Sequence, residues 1–260
     1  MNQPGRICRY LPLRSGLLAM LAGIAALAAA QSLPTAESVL DRFVEATGGK
    51  AAYEKLHNEE IRGTVTVAGA ALGGTVVSRA AAPNKSRTVM EIAGLGTMEE
   101  GTDGAIAWEL SAVQGPRIKT GEELAVALRE AAFNAPVRWR ELYAKAEVAG
   151  VEEIEGRPCY KVLLTPPVGK PVTHYYDRES GLLAKVAMVV ASPMGDVPVE
   201  IFMGDYREVA GVRVPHSLRQ RVISQEIRIA IESVRYNIDL PANAFEPPAD
   251  VRALTAKPKP

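Results

Sequence analysis

Ile61-Arg62-Gly63-Thr64-Val65-Thr66-Val67 decides the architecture. Apolar and polar side chains alternate in steps of two, the pattern of a strand with one buried face and one wet one. Upstream the period is helical. Pro34-Thr35-Ala36-Glu37 supplies an N-cap threonine and a first-turn acid, and Val39, Leu40, Phe43 and Val44 follow at helical spacing. Gly48-Gly49 stops that helix, and Lys50 to Leu56 reads as a second, short one. Downstream the period of two persists. Thr75–Ala81, Arg87–Ile92 and Ile106–Leu110 follow as strands, separated by the turns around Gly69–Gly74, Pro83-Asn84 and Asp103-Gly104.

One interruption breaks this meander. Thr120-Gly-Glu-Glu123 fits a capping box, with Leu124, Leu128 and Ala131 as the apolar stripe behind it. Asn134-Ala135-Pro136 opens a second helical piece carrying Val137, Trp139, Leu142 and Tyr143. Strands then resume at Cys159–Leu164, Val172–Tyr176, Leu182–Val190, Val197–Met203, Val212–Val214, Leu218–Ile223 and Ile227–Ile231. About eleven strands spaced this regularly by turns predict a mainly β protein with added helices, a sandwich or barrel rather than βαβ units.

Composition mainly removes function classes. The 260 residues are 47% apolar and 23% charged, an ordinary globular mixture. Lys+Arg and Asp+Glu are 30 each, which argues against a nucleic-acid partner. Residues 1–16 carry Arg6, Arg9 and Arg14 without an acid, an apolar run spans 17–30, and Ala28-Ala29-Ala30 precedes Gln31. That order predicts a secretory signal peptide over 1–30, cleaved near Ala30, and hence a periplasmic or secreted protein. Its removal takes three arginines and no acid, turning 30 against 30 into 27 basic against 30 acidic residues, a net charge of −3. It also takes Cys8 and leaves Cys159 alone, so no internal disulfide can form in the remainder. The expected organisation is a single domain over 31–249 followed by a polar tail over 250–260.

The search for chemistry finds none. G-x-S-x-G, P-loop, H-E-x-x-H and dinucleotide patterns are missing from the sequence, and His57, His174 and His216 lie far apart. Gly94-Leu95-Gly96 lacks the later glycine of a phosphate-binding turn and reads as a loop. In a strand, His174 and Asp177 point to opposite faces and do not meet. Glu152, Glu153 and Glu155 read as a solvated hairpin, and Cys159 as a small buried hydrophobe. The expectation is a non-enzymatic protein without metal or cofactor.

Several stretches resemble the LolA/LolB-like superfamily of periplasmic lipoprotein and lipid carriers. They are Ala46-Thr47-Gly48-Gly49, Asp103-Gly-Ala-Ile-Ala-Trp108, Val151-Glu-Glu-Ile-Glu-Gly-Arg-Pro-Cys-Tyr160, Tyr176-Asp-Arg-Glu-Ser-Gly-Leu182, Asp205-Tyr-Arg-Glu-Val-Ala-Gly-Val-Arg-Val-Pro215 and Phe245-Glu-Pro247. Together they run over about residues 36–248, and their order is more specific than any one of them. The resemblance implies an unclosed antiparallel half-barrel with helices over its concave apolar side, suited to lipid or the acyl chains of a lipoprotein. Under it, Trp108, Leu124, Leu128, Phe133, Trp139 and Tyr143 are the expected lining of an apolar groove and its lid. Without it, the same residues read as plain core, since apolar stripes on helices usually are.

Two further functions stay open on the sequence. The half-barrel could serve a sensor or interaction protein that binds a membrane or periplasmic protein partner. An exported enzyme would need converging titratable groups, and the sequence offers no such set.

Overall fold

The computed structural model describes residues 32–70, 72–192 and 195–255, and the region predicted as a signal peptide lies outside them. Helices α1 (Ala36–Ala46) and α2 (Lys50–Tyr53) lead into six strands: β1 Asn58–Val67, β2 Leu72–Ala81, β3 Lys85–Ile92, β4 Gly96–Thr102, β5 Ala107–Ser111 and β6 Gly115–Lys119. A crossover follows, made of α3 (Gly121–Glu130), a 3₁₀ turn (Ala135–Arg138) and α4 (Trp139–Leu142). Seven more strands complete the sheet: β7 Lys145–Ile154, β8 Arg157–Thr165, β9 Val172–Asp177, β10 Leu183–Ser192, β11 Gly195–Val209, β12 Val212–Val222 and β13 Gln225–Tyr236. The last helix is α5 (Ala249–Thr255).

All thirteen strands belong to one antiparallel sheet, in the order β6-β5-β4-β3-β2-β1-β13-β12-β11-β10-β9-β8-β7. The chain enters at the middle, on β1, and steps outward hairpin by hairpin to β6. It then crosses to the opposite edge and steps back from β7 until β13 pairs with β1, with Val65 opposite Ile229. The edges β6 and β7 do not pair, so the sheet stays an open half-barrel. A crossover between the two edges has to pass over one face, and this is what places α3 and α4 on the inner side.

Register separates the two faces. The rung Val162–His174–Val186–Ile201 runs across β8 to β11 on the inner face. The neighbouring rung, Lys161–Tyr175–Lys185–Phe202–Arg219, faces outward. Its rings are covered by cations, Lys185 at 4.8 Å from Tyr175 and Arg219 at 4.1 Å from Phe202, and the lysines pair with Glu152 and Glu200. The outer face therefore carries aromatic bulk without presenting an apolar surface.

The Thr47-Gly48-Gly49 motif has a packing cause. Thr47 is buried; its hydroxyl donates to the Phe43 carbonyl (2.7 Å) and accepts from Tyr53 Oη (2.8 Å). The Arg213 amide donates to the Thr47 carbonyl, which docks the α1–α2 corner on the start of β12. Gly48 has φ +124, and a Cβ there would stand 2.2 Å from the Gly211 carbonyl oxygen. Only glycine permits that approach.

Four sequence expectations need correction. The strand count is thirteen among the described residues, not eleven. The Gly94-Leu95 loop leads into β4 at Gly96, a strand that the sequence reading left out together with β6 and β7, and Val212–Val214 and Leu218–Ile223 are one strand, β12. The polar tail does not begin at 250, because α5 covers 249–255 and its Val251 is 0% exposed. The capping box starts a helix where expected, but the Thr120 hydroxyl makes no cap, and Glu123 instead accepts from Arg117 Nη1 at 2.6 Å.

The fourth correction concerns Trp108. Glu109 and Arg117 pair with each other, and Arg117 reaches Glu123 of α3, so these side chains face inward. Trp108 precedes Glu109 in β5 and therefore faces outward. It is nonetheless 0% exposed, because α5 packs on β5 and β6. Its indole donates to Glu99 Oε1 (3.3 Å), and it lies on Gly101, where a Cβ would come within 2.7 Å of the ring. It is core on the far side of the sheet from any groove.

Candidate functional site

The inner face of the half-barrel is divided by the crossover into two unlike compartments. Over β8 to β11 lies a cavity of about 390 Å³. Its floor is Val172, His174 and Tyr176 of β9, Val186 and Met188 of β10, and Ile201 and Met203 of β11. Leu40 and Phe43 of α1 form one wall, and Trp139, Leu142 and Tyr143 form the other. The volume is at the lower end of the roughly 300–1,000 Å³ usual for small-ligand sites.

Each part has a local reason to be there. The buried stripe of α1 packs on Val162, Leu164 and Leu183, which fixes Phe43 5.3 Å from Tyr176. Helix α4 is only four residues long and is held by side chains. Trp139 Nε1 donates to Asp41 (3.3 Å) and Arg140 makes two bonds to the same carboxylate (3.0 and 3.1 Å) while covering the Trp139 ring. The Arg140 bonds hold the Asp41 carboxyl below the usual range.

Aromatic residues are only 5% of the chain, yet Phe43, Trp139, Tyr143 and Tyr176 converge here. His174 sits among them, with Nδ1 2.9 Å from Tyr176 Oη and its ring edge-on to Tyr143. Burial lowers its pKa from 6.5 to about 4, so the imidazole is neutral and the cavity carries no charge from it. The unfolded chain takes up this proton near 6.5 and the folded one only near 4, so stability should fall as pH drops through that window. The folded state should lose up to about 1.4 kcal/mol per pH unit from this group. Urea unfolding at pH 6.5, 5.5 and 4.5 measures it, and His174→Gln should flatten that slope.

The second compartment, about 430 Å³, lies over β1 to β4 and is lined by Tyr53, Ser78, Ser86, Thr88, Glu100 and Lys119 among others. It touches the first at Glu130, Ala135 and Pro136. Its hydroxyls partly satisfy each other, Ser78 with Thr88 at 2.9 Å. The apolar and polar spaces thus abut beneath the crossover.

Of the six expected groove residues, the structure brings Trp139 and Tyr143 together in the apolar cavity. Phe133 lines the polar compartment, packed with Tyr53, Leu56 and Val212. Leu124 and Leu128 are half-buried on α3 and line neither compartment. Trp108 is on the other face. The sheet residues of the cavity, Val186, Met188, Ile201 and Met203, are not among the six, although both of their strands were read and the alternation through Ile201 and Met203 with them. What the sequence does not state is which strand face the crossover covers.

Residues weighed for chemistry are held in structural bonds. Asp177 accepts from the amides of Glu179 and Ser180 (3.0 and 2.7 Å) in the β9–β10 turn and does not meet His174. Cys159 is buried, and burial pushes its thiol pKa up, away from nucleophile behaviour. Among the described residues, no three His, Cys, Asp or Glu side chains gather as a metal site, and no helix is long and apolar enough to cross a membrane.

No family model and no curated protein matches the chain. Solved structures do. A LolA superfamily protein from Nitrosomonas europaea is 14% identical with a TM-score of 0.54, covering 83% of this chain and 99% of that one. A DUF1329 family protein from Desulfovibrio piger is 13% identical at 0.54, covering 81% and 97%. A domain named for outer membrane lipoprotein sorting, from Vibrio parahaemolyticus, is 12% identical at 0.52, again covering 81% and 97%. At such identities the likeness is one of fold, and the fold of this chain is that of the LolA-like open half-barrels.

Proposed function

We propose that the protein is an exported, non-enzymatic carrier that binds lipid, or the acyl chains of a lipoprotein, in the cavity between α1, α4 and β8 to β11. The observation that supports this most is the cavity's lining: aliphatic and aromatic side chains and a neutral histidine, with Arg129 and Glu130 as its charged members, in a space left unfilled by the core. Transfer of apolar chain into such a space contributes about 0.8 kcal/mol per CH₂, so a carrier of this kind needs complementarity and no reacting group. The Arg6–Ala30 sequence pattern supports export to a periplasm or beyond, where a lipid in transit needs shelter from water. The likeness to LolA-like folds agrees with this reading.

Native mass spectrometry of protein purified from an exported pool without detergent, with organic extraction of a matched sample, tests it. A stoichiometric acyl species is expected. An apo mass, persisting after incubation with membrane vesicles, overturns the reading.

A further inference from the structure

We propose that the occupant of the apolar cavity is a single-chain amphiphile ending in a carboxylate, held at its head by Arg129. This rests on the carrier reading and narrows its ligand class.

Arg129 stands at the end of α3, where the apolar cavity opens into a small charged vestibule of about 110 Å³, and it lines both. Its side chain is 11% exposed. Nη1 donates to the Val168 carbonyl (2.8 Å), the guanidinium lies 6.0 Å from the centre of the Tyr143 ring, and Nη2 is 3.6 Å from the half-exposed Glu130 carboxylate. Nε is closed from water and has no partner. Arginine cannot shed its charge, and a buried charged donor left unmatched is costly. Arg87 Nε, on another strand, is also without a hydrogen bond of good geometry, but it stands 3.0 Å from Glu99. Arg129 has no carboxylate that close.

The other cations of the vestibule are engaged. Arg117 is paired with Glu109 and Glu123, Lys119 with Glu100 and Glu109, and Lys170 with Asp196. Arg129 Nε is thus the one buried guanidinium N–H here without a hydrogen bond, beside the mouth of an apolar space, and a carboxylate that takes the place of Glu130 accepts from Nε and Nη2 side by side. A phosphate head brings more negative charge against Glu109, Glu122, Glu123 and Glu130, which share the vestibule. A cavity of about 390 Å³ suits one chain, running from Arg129 past Tyr143 and Met188 toward Leu183 and Met203.

The test is isothermal titration of lipid-stripped protein with palmitate, methyl palmitate and palmitoyl lysophosphatidate, below the concentrations at which they form micelles. Wild-type protein is expected to bind palmitate about ten- to a hundredfold tighter than its methyl ester, the range that hydrogen bonds to a charged group supply, and lysophosphatidate more weakly than palmitate. Arg129→Gln should erase the preference for acid over ester, and Arg129→Lys should restore part of it. Equal wild-type affinity for acid and ester overturns the carboxylate anchor while leaving the carrier reading in place. Tighter binding of lysophosphatidate than palmitate overturns the choice of carboxylate, and a preference that survives in Arg129→Gln overturns the role of Arg129. Binding of none of the three overturns the anchor and the carrier reading together. The wild-type comparison stands even if a variant fails to fold.

Discussion

Ile201→Glu is expected to empty the apolar cavity while leaving the protein folded. Ile201 lies in β11 on the inner rung with Val186, His174 and Val162, and it lines the cavity floor. It is half-buried, because the space above it is open to a ligand rather than filled by core. A carboxylate there keeps water when the cavity is vacant and must lose it when an acyl chain enters. Rehydrating two or three methylenes around it costs about 2 kcal/mol, more than tenfold in affinity. The bound lipid extracted per protein should therefore drop at least tenfold. Val151→Glu, an exposed position on β7, should leave occupancy unchanged. Equal occupancy in the two variants means the ligand lies elsewhere.

Trp108→Ala should do the opposite, lowering stability by about 3–5 kcal/mol, the usual cost of deleting a fully buried aromatic, without altering ligand affinity. The loss combines unfilled volume under α5 with the indole hydrogen bond to Glu99, whose carboxylate keeps Arg87 at 3.0 Å. Urea unfolding and acyl-chain titration on the same preparation separate the two effects. A Trp108→Ala protein of wild-type stability with weakened lipid binding would place this residue in the groove after all.

The two substitutions mark where the sequence was legible. Period-two alternation gave Val197, Val199, Ile201 and Met203 on one face of β11, the hairpin turns and the helical interruption, because these are local properties of the chain. The missed strands have weak local signals: β4 is Gly-Thr-Met-Glu-Glu-Gly-Thr, nearly without apolar residues, and β7 carries the exposed Glu147, Glu152 and Glu153. Their strand character comes from pairing, Met98 with Met90 and Glu152 with Cys159, which no window of single-chain periodicity contains. The site was half legible for a related reason. Trp139 and Tyr143 lie on the crossover itself, and a crossover must cover a face. Trp108 looked equivalent in composition, but its side is set by Glu109 and Arg117 facing α3, a contact between elements. The buried Val251 likewise gives no sign within a segment whose neighbours are Asp250 and Arg252.

The chain contains two tryptophans, one on each face of the sheet, and this makes the central claim directly measurable. Acyl chains carrying bromine quench indole fluorescence only on close contact. In a Trp108→Phe protein, brominated palmitate should quench the remaining Trp139 strongly and saturably, with competition by unlabelled palmitate. In a Trp139→Phe protein, the same ligand should leave Trp108 unquenched behind the sheet and α5. Quenching of Trp108 alone, or of neither residue, would contradict an acyl site between α1, α4 and β8 to β11.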